Sequence, residues 1–573
     1  MGKIWNIKDR ADINVIKHLS AALNVNMVIA NLLAQRGVTN FEEARTFFRP
    51  KLDHLHDPFL MKDMDKAVHR LEQAIENKER ILIYGDYDVD GTTSVALIYQ
   101  FLRNRVENLD YYIPDRYSEG YGISNRSIDY AKENNVSLII ALDCGIKAVE
   151  KIEKAKQLGI DFIICDHHTP DKEIPKAAAV LDPKRQDCNY PYKELSGCGV
   201  GFKLIHAYSL RNNIPIIELY DLLDLVAVSI AADIVPVTGE NRVLAYYGLK
   251  KLNENPSVGL KTIMQLSNAV NTELTLSDVV FKIGPRLNAS GRIEHGKSSV
   301  DLLVMSDSAE SSKLGEEIDS FNEIRKKLDR DITQEALDMI KHDPMHSDRV
   351  STVLYNRDWH KGVVGIVASR LTEHYYRPTI ILTESNGMAT GSARSVHGFD
   401  LYEAIGQCSD LLESYGGHMY AAGLTMKIDK IPEFTRRFEE IVAASITDEQ
   451  KVEVFNADSR LQLSDINDKF YRILKQFEPF GPSNPRPVFI SSNIVDSGRA
   501  RCVGKENEHL KLDITEPNDS INCVPAIAFN QAKKYEVIEQ GIPFDILYTV
   551  NQNEYRGRRN LQLLIKDIDA PLI

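Results

Sequence analysis

The chain has 573 residues, 43% of them hydrophobic and 26% charged, with 69 basic against 82 acidic side chains and a net charge of −13. These proportions are ordinary for globular protein, and the length allows about four domains at roughly 150 residues each. Seven scattered cysteines with no C-x-x-C pair exclude a zinc knuckle and a disulfide framework. The acidic balance by itself argues against nucleic acid, but binding depends on local basic patches, and a carboxylate metal site makes any chain look more acidic. The amino terminus lacks a signal-peptide core, Asn6 breaks the myristoylation pattern, and no stretch approaches the ~18 apolar residues of a membrane span. A cytoplasmic, multidomain protein without membrane contact is expected.

Residues 11 to 75 carry apolar positions at helical spacing (Val15, Leu19, Leu23; Val68, Leu71, Ile75). From Ile81 short apolar runs alternate with amphipathic helices. The runs are Ile81–Tyr84, Leu138–Leu142, Phe162–Cys165 and Ala177–Leu181, with Thr92–Phe101 and Lys147–Leu158 between them. That alternation predicts a parallel sheet with helices on both faces. Residues 217–231 and 300–341 read as helical, the second as a long, charged, bridging helix that His342-Asp343-Pro344 ends. A second α/β region begins at Ser351-Thr352-Val353-Leu354 and runs to about residue 445. The last ~120 residues hold short alternating segments such as Ile546–Val550 and Leu561–Ile565, which predict a small β-barrel of OB type.

Chemistry concentrates where the apolar runs end. Gly85-Asp86-Tyr87-Asp88-Val89-Asp90-Gly91 follows the first run, and in a parallel sheet ligands bind beyond the carboxyl ends of strands. Alone this loop could be a solvated acidic turn. A calcium loop would need Glu at its twelfth position, where Leu97 stands. The second run ends in Asp143-Cys144-Gly145, the third in Asp166-His167-His168, and Asp233 follows an apolar helix. Strands ~4.8 Å apart can bring such tips around two cations ~3.5–4 Å from each other. Carboxylates with one or two imidazoles suit Mn²⁺ or Mg²⁺ better than zinc.

These residues carry a resemblance. Asp86 to Gly91, Asp143, Asp166-His167-His168 and Asp233 look like the four motifs of the DHH phosphoesterase superfamily. Gly391-Ser392-Ala393-Arg394-Ser395 and Gly416-Gly417-His418-Met419-Tyr420-Ala421-Ala422-Gly423 resemble its associated DHHA1 domain. Phe281 to Arg292, which includes Arg286 and Asn288, and Glu478-Pro479-Phe480-Gly481 place the resemblance with the single-strand-specific 5′→3′ exonuclease branch. It covers nearly the whole chain.

The resemblance implies Asp88, Asp90, Asp143, His167 and Asp233 as ligands of two divalent cations, Mn²⁺ or Mg²⁺, with Asp143 bridging. Small-substrate members carry a His where Tyr84 stands, and Asp86 could compensate as a ligand. His168 is expected to meet the scissile phosphate and Asp166 to orient His167. The implied fold is two α/β lobes, a DHH parallel-sheet domain (76–250) and a DHHA1 domain (346–447). A helical region (1–75) precedes them, a helical connector (251–345) joins them, and an OB-fold barrel (448–573) follows. The chain ends soon after the barrel at Ile573, so the extra terminal domain of some longer relatives is expected to be missing.

Basic groups are expected to hold the strand. Ser392, Arg394, Ser395, Gly417 and His418 can present backbone N–H groups, a guanidinium and an imidazole to phosphate, although each loop could be an ordinary turn at a helix entrance. Arg116, Arg286, Asn288 and Arg292 add to this, with four basic residues against one acidic between Phe281 and Lys297. Tyr555-Arg556-Gly557-Arg558-Arg559 is either a charged hairpin tip or a single-strand contact by stacking and phosphate attraction.

The expected activity is metal-dependent hydrolysis of single-stranded DNA from a 5′ end, releasing 5′-mononucleotides in repair and recombination. The enzyme is expected to act as a monomer, with a single-strand-binding protein and a repair helicase as partners. Alternatives are a phosphodiesterase on short oligonucleotides or cyclic dinucleotides, and a non-catalytic DNA-binding scaffold.

Overall fold

A computed structural model describes residues 3–270, 272–517, 522–555 and 558–570. Strand β1 (Ile4–Ile7) and the helices Ile13–Leu23, Met27–Ala34 and Phe41–Phe48 open the chain. Their apolar positions, among them Ile16, Leu19, Ile29 and Leu33, share one core with Leu461, Phe470, Phe477 and Phe489 near the other end. The next helix, Met64–Glu76, instead packs Met64, Val68 and Leu71 into the core of the first sheet. No single helix among the described residues is long and apolar enough to cross a membrane.

The first sheet is fully parallel. Its strands β2 (Ile81–Gly85), β3 (Leu109–Tyr112), β4 (Leu138–Leu142), β5 (Asp161–Cys165) and β6 (Ala179–Leu181) lie in the order β3-β2-β4-β5-β6. Strands β2 and β4 are buried along their whole length, which is why they read as unbroken apolar runs. The chain leaves β2 toward β3 and returns on the other side to form β4. Strands β2 and β4 therefore flank the switch point where open α/β sheets bind ligands.

The long helix runs Ser308–His342, after a separate helix Lys297–Val304; the single segment expected over 300–341 is broken where Asp307 caps the second helix, accepting from the N–H groups of Ala309 and Glu310. At 35 residues it is about 52 Å long. It buries one stripe, including Ile318, Asn322, Asp329, Ile332, Ala336 and Ile340. Asp329 takes Arg370 at 2.8 Å and Glu335 accepts from the Trp359 indole at 2.8 Å, fastening its carboxyl half to the second lobe. It stops before Pro344, which disfavours helix in the preceding residue.

The second lobe holds β7 (Thr352–Tyr355), β8 (Thr379–Ser385), β9 (Met388–Arg394), β10 (Ser414–His418) and β11 (Ala421–Met426) in the order β10-β11-β9-β8-β7. Only β7 and β8 pair in parallel.

In the last region β12 (Val454–Ala457) pairs with β1, and β13 (Ser459–Arg460) lies beside β14 (Phe489–Asp496). The sheet continues through β15 (Arg501–Val503), β16 (His509–Thr515), β17 (Val524–Ala528), β18 (Phe544–Tyr555) and β19 (Arg558–Asp569). Pairing of β14 with β16 closes β14-β18-β19-β17-β16 into a five-stranded ring. That closure is the barrel the alternating segments predicted.

Candidate metal centre and anion-binding cleft

Asp86, Asp143 and Asp166 are the residues immediately after β2, β4 and β5, so the parallel register alone places them side by side at one end of the sheet. Asp143 sits there at φ 58°, a left-handed turn that ends the strand and lets its N–H donate to Cys165 O at 2.9 Å. Its carboxylate lies against Gly197, where a Cβ would come within 2.6 Å of the Asp143 Cβ. Asp90 lies in the first turn of the helix Val89–Leu102 and is held by a second helix start. Its carboxylate accepts from Gly197 N–H at 2.7 Å, Cys198 N–H at 2.9 Å and the Ser229 hydroxyl at 2.6 Å. Asp88 caps the helix Val89–Leu102 by accepting from Gly91 N–H at 3.0 Å. Asp233 is the residue that ends the helix Leu223–Ala232.

His167 stands at the centre. Its Nε2 is 3.1 Å from an Asp143 oxygen, 3.5 Å from Asp233 and 3.7 Å from Asp90. None of these approaches has hydrogen-bond geometry: both ring nitrogens of His167, both oxygens of Asp86 and Oδ1 of Asp143 are buried without a partner. Buried polar atoms are almost always satisfied. Two groups of donor atoms converge closely enough for a cation, Asp143–His167–His168 and Asp90–His167–Asp233. The unpaired, oxygen-rich set therefore fits divalent cations such as Mn²⁺ or Mg²⁺.

The electrostatics agree. Burial and then the neighbouring carboxylates Asp90 and Asp88 push Asp143 well above the usual carboxylate range. Burial and Asp88 do the same to Asp86, and burial with Asp90 raises Asp88. Asp233 is pushed up to about 8, again by burial and then Asp90. Carboxylates gathered against their own repulsion need a cation to be charged together.

One detail differs from expectation. Asp166 directs His168 and not the ring of His167: it accepts from His168 Nδ1 at 2.8 Å, as well as from the N–H groups of His167, His168 and Ile146. Burial pulls the His168 imidazole down, but Asp166 overcomes it and lifts its pKa to about 8. Tyr84 does not face the cluster with its hydroxyl, which donates to Gly122 O at 2.7 Å.

A cleft rich in arginine lies beside this centre. Arg116 donates to Gly291 O at 2.9 Å and stacks 4.0 Å over the Tyr87 ring. Arg292, in the connecting helix Gly284–Ile293, donates to Gly362 O at 2.8 Å, tying that helix to the turn His360-Lys361-Gly362 of the second lobe. Burial, with Arg116, Arg325 and Arg394 nearby, pushes the Arg292 guanidinium down to about 10. Four guanidinium groups near one another carry the charge and the donors that anions take. Arg394 donates to Ser392 Oγ at 2.7 Å. The segments Gly391–Arg394 and Gly416–His418 lie in strands β9 and β10, on either side of β11, and are not turns at helix entrances. Gly417, at φ 147°, leaves no room for a Cβ, which would meet Ala421 O at 2.3 Å, and His418 is exposed.

Other singled-out residues point inward. Arg286 is engaged with Asp319 at 2.8 Å, Lys282 O at 2.8 Å and Leu266 O at 3.4 Å. The Ser395 hydroxyl donates to Phe399 O at 2.8 Å, and Asn288 Oδ1 is buried without a partner. Arg556 lies outside the described residues, as do the side chains of Tyr555 and Arg558.

The structure adds residues that the motifs did not mark. Ser229 reaches Asp90 from a helix 139 residues away in sequence. The Tyr121 hydroxyl donates to Asp143 O at 3.2 Å and lies 3.1 Å from His168 Nε2. Arg325 joins the cleft from the long helix, and its Nε, like the amide of the buried Asn322 on the same helix, has no partner. Tyr121 carried one sequence signal, its flanking Gly120 and Gly122, both at φ 79°.

Family models match three segments: the DHH family N-terminal domain over residues 80–230, the DHHA1 domain over 350–444 and the RecJ OB domain over 457–567. The chain is 40% identical over 565 residues to the single-stranded-DNA-specific exonuclease RecJ of Bacillus subtilis, covering 98% of this chain and 70% of that one. It is 33% identical over 559 residues to the protein of the same name from Escherichia coli, covering 94% of this chain and 95% of the other. The crystal structure of Thermus thermophilus RecJ in complex with Mn²⁺ superposes with a TM-score of 0.85 at 27% identity, over all of this chain and 80% of that one. The same Thermus protein has also been crystallised with Mg²⁺. With sequence, fold and three domain models in agreement, the chain belongs to the RecJ family of single-stranded-DNA-specific exonucleases, within the DHH phosphoesterases.

Proposed function

We propose that this chain hydrolyses single-stranded DNA from its 5′ end and releases 5′-mononucleotides. The observation that carries the reading is the set of buried, unpaired donors on Asp86, Asp143 and His167 at adjoining strand tips, beside a cleft of arginines. Asp88, Asp90, Asp143, His167 and Asp233 would hold two divalent cations, with Asp86 completing the first. When bound, the cations supply a water nucleophile ionised near neutral pH and neutralise charge growing on the phosphoryl oxygens.

The chain's own residues do the rest. Ser229 and the helix start at Gly197–Cys198 fix the Asp90 carboxylate, and Gly197 lets that helix approach Asp143. His168, held by Asp166 and cationic up to about pH 8, is placed to donate to a phosphoryl oxygen. Arg116, Arg292 and Arg394, with Ser392, grip the phosphates of the entering strand, and His418 and Gly417 border the same lobe. The barrel (448–573) guides the single strand, with Tyr555, Arg556 and Arg558 as its contacts. The domains run as 76–250 and 346–447 for the two lobes, joined by 251–345. The protein works as a cytoplasmic monomer in DNA repair and recombination, alongside a single-strand-binding protein and a repair helicase.

The test uses single-stranded and blunt duplex oligonucleotides labelled at either end, with Mn²⁺ and an Asp143→Ala control. Release of the 5′ label as mononucleotide from single strands alone, lost in the control, is the expected result. Survival of long strands while dinucleotides are cleaved would overturn it.

A further inference from the structure

Asp233 ends its helix, and the next residue, Ile234, has φ 58°. A β-branched residue adopts this conformation only when its surroundings fix it. The Ile234 side chain is 64% exposed, so its own packing does not supply the constraint. The backbone on either side does. On the helix side, Asp233 N–H donates to Ser229 O at 2.9 Å. Beyond the turn, Pro236 O accepts from the Tyr192 hydroxyl at 3.1 Å and from the Asn241 amide at 3.0 Å, and Val237 N–H donates to Pro482 O at 2.8 Å.

Pro482 directly follows Glu478-Pro479-Phe480-Gly481, a motif that neither the metal centre nor the cleft uses. Gly481 is pressed against the same anchor: a Cβ there would come within 2.4 Å of Val237 Cγ2. The loop is itself clamped. The Arg242 guanidinium donates to the carbonyls of Phe477 (2.8 Å), Glu478 (2.9 Å) and Phe47 (3.1 Å). The Asn484 amide donates to Phe477 O and Pro479 O, both at 2.9 Å, and Asn484 Oδ1 accepts from Arg36 at 2.8 Å. Amino-terminal helices, carboxyl-terminal region and first lobe thus meet four residues from Asp233.

We propose that the loop 477–485 is a positioning element of the metal centre: its docking on Val237 fixes the turn 234–237 and, through it, the Asp233 carboxylate. Seating of the carboxyl-terminal barrel and retention of a cation are therefore linked. The inference rests on Asp233 being a cation ligand.

The test is Mn²⁺ titration of the full-length protein without DNA, with free Mn²⁺ read by electron paramagnetic resonance and folding followed by thermal unfolding. The variants are Gly481→Ala, Val237→Ala, the two combined, and Asp233→Asn. Gly481→Ala is expected to weaken one cation about tenfold, as loss of a ligand's outer support does. Val237→Ala removes the colliding methyl, so the double variant is expected to bind as the unmutated protein does. Folded Gly481→Ala with unchanged affinity, or a loss that Val237→Ala does not restore, overturns the inference. If Gly481→Ala does not fold, Asn484→Ala carries the comparison, and unchanged Mn²⁺ affinity there overturns it equally. Asp233→Asn separates the two readings: if it keeps both cations the ligand assignment itself fails, and if it loses one while Gly481→Ala does not, only the positioning role fails.

Discussion

The Ser229 hydroxyl donates to Asp90 Oδ1 at 2.6 Å and lies 2.6 Å from Ser196 Oγ, and Ser196 in turn caps the helix whose first N–H groups bind the same carboxylate. Asp90 is thereby oriented from three directions before any cation arrives. A ligand fixed in advance loses little freedom on binding, which favours affinity.

Ser229→Ala tests this orientation. It leaves a buried carboxylate oxygen with one donor fewer, at a cost of about 1–3 kcal/mol in stability. Mn²⁺ affinity is expected to fall about tenfold by calorimetric titration while circular dichroism stays unchanged. A variant that binds Mn²⁺ normally would show that the hydroxyl serves the fold alone.

Asp143→Asn separates charge from shape. Burial and the surrounding carboxylates hold Asp143 well above the usual range, so its charged form is disfavoured in the metal-free protein and an uncharged amide of the same shape costs little there. The variant is expected to melt no lower than the unmutated chain in EDTA. Added Mn²⁺ at a hundred times its dissociation constant stabilises the unmutated chain by about 2.7 kcal/mol. The variant should show neither that rise in Tm nor DNA cleavage. A preserved Mn²⁺ shift would remove Asp143 from the ligand set.

His206 sets a pH dependence away from the metal centre. It is buried, its Nδ1 has no partner, and burial followed by the nearby Lys203 charge pushes it down to about 3. The unfolded chain takes up this proton below about 6.5, whereas the folded chain resists it. Its contribution to stability is therefore complete above about 6.5 and is lost as pH falls toward 3. Between pH 6.5 and 5 the loss is about 1.6 kcal/mol. Urea unfolding of His206→Leu should show that much less destabilisation over this interval. An identical pH slope in both proteins would mean that the imidazole titrates normally.

Arg325 brings charge to the cleft from the long helix, where burial lowers its pKa and its Nε has no partner. Arg325→Ala is expected to weaken binding of single-stranded oligonucleotide in Ca²⁺ and to reduce the salt slope by about one unit. Fluorescence anisotropy at several salt concentrations measures both. An unchanged slope would place Arg325 outside the phosphate path.

Much of the first lobe was legible because a strand buried on both faces must be apolar throughout, and a carboxylate directly after such a strand interrupts the pattern. Asp86, Asp143 and Asp166 each stand at such a break. The cleft was less legible. Arg286 and Arg292 share one helix and look equivalent in sequence, yet one is neutralised by Asp319 and the other faces three guanidinium groups. The amino-terminal helices showed their period but not their partner, which lies more than 400 residues away in the barrel.

The sequence by itself determined the parallel sheet, the closed barrel and which tips carry carboxylates and imidazoles, since apolar periodicity and residue order are local properties. Only the tertiary structure decided that Asp166 serves His168, that Ser229 serves Asp90, that the long helix lends Arg325 to the cleft, and that the Glu478–Gly481 loop abuts the turn after Asp233. Each of these depends on the distance and direction between side chains far apart in the chain, and packing of whole elements sets those quantities where no local pattern can.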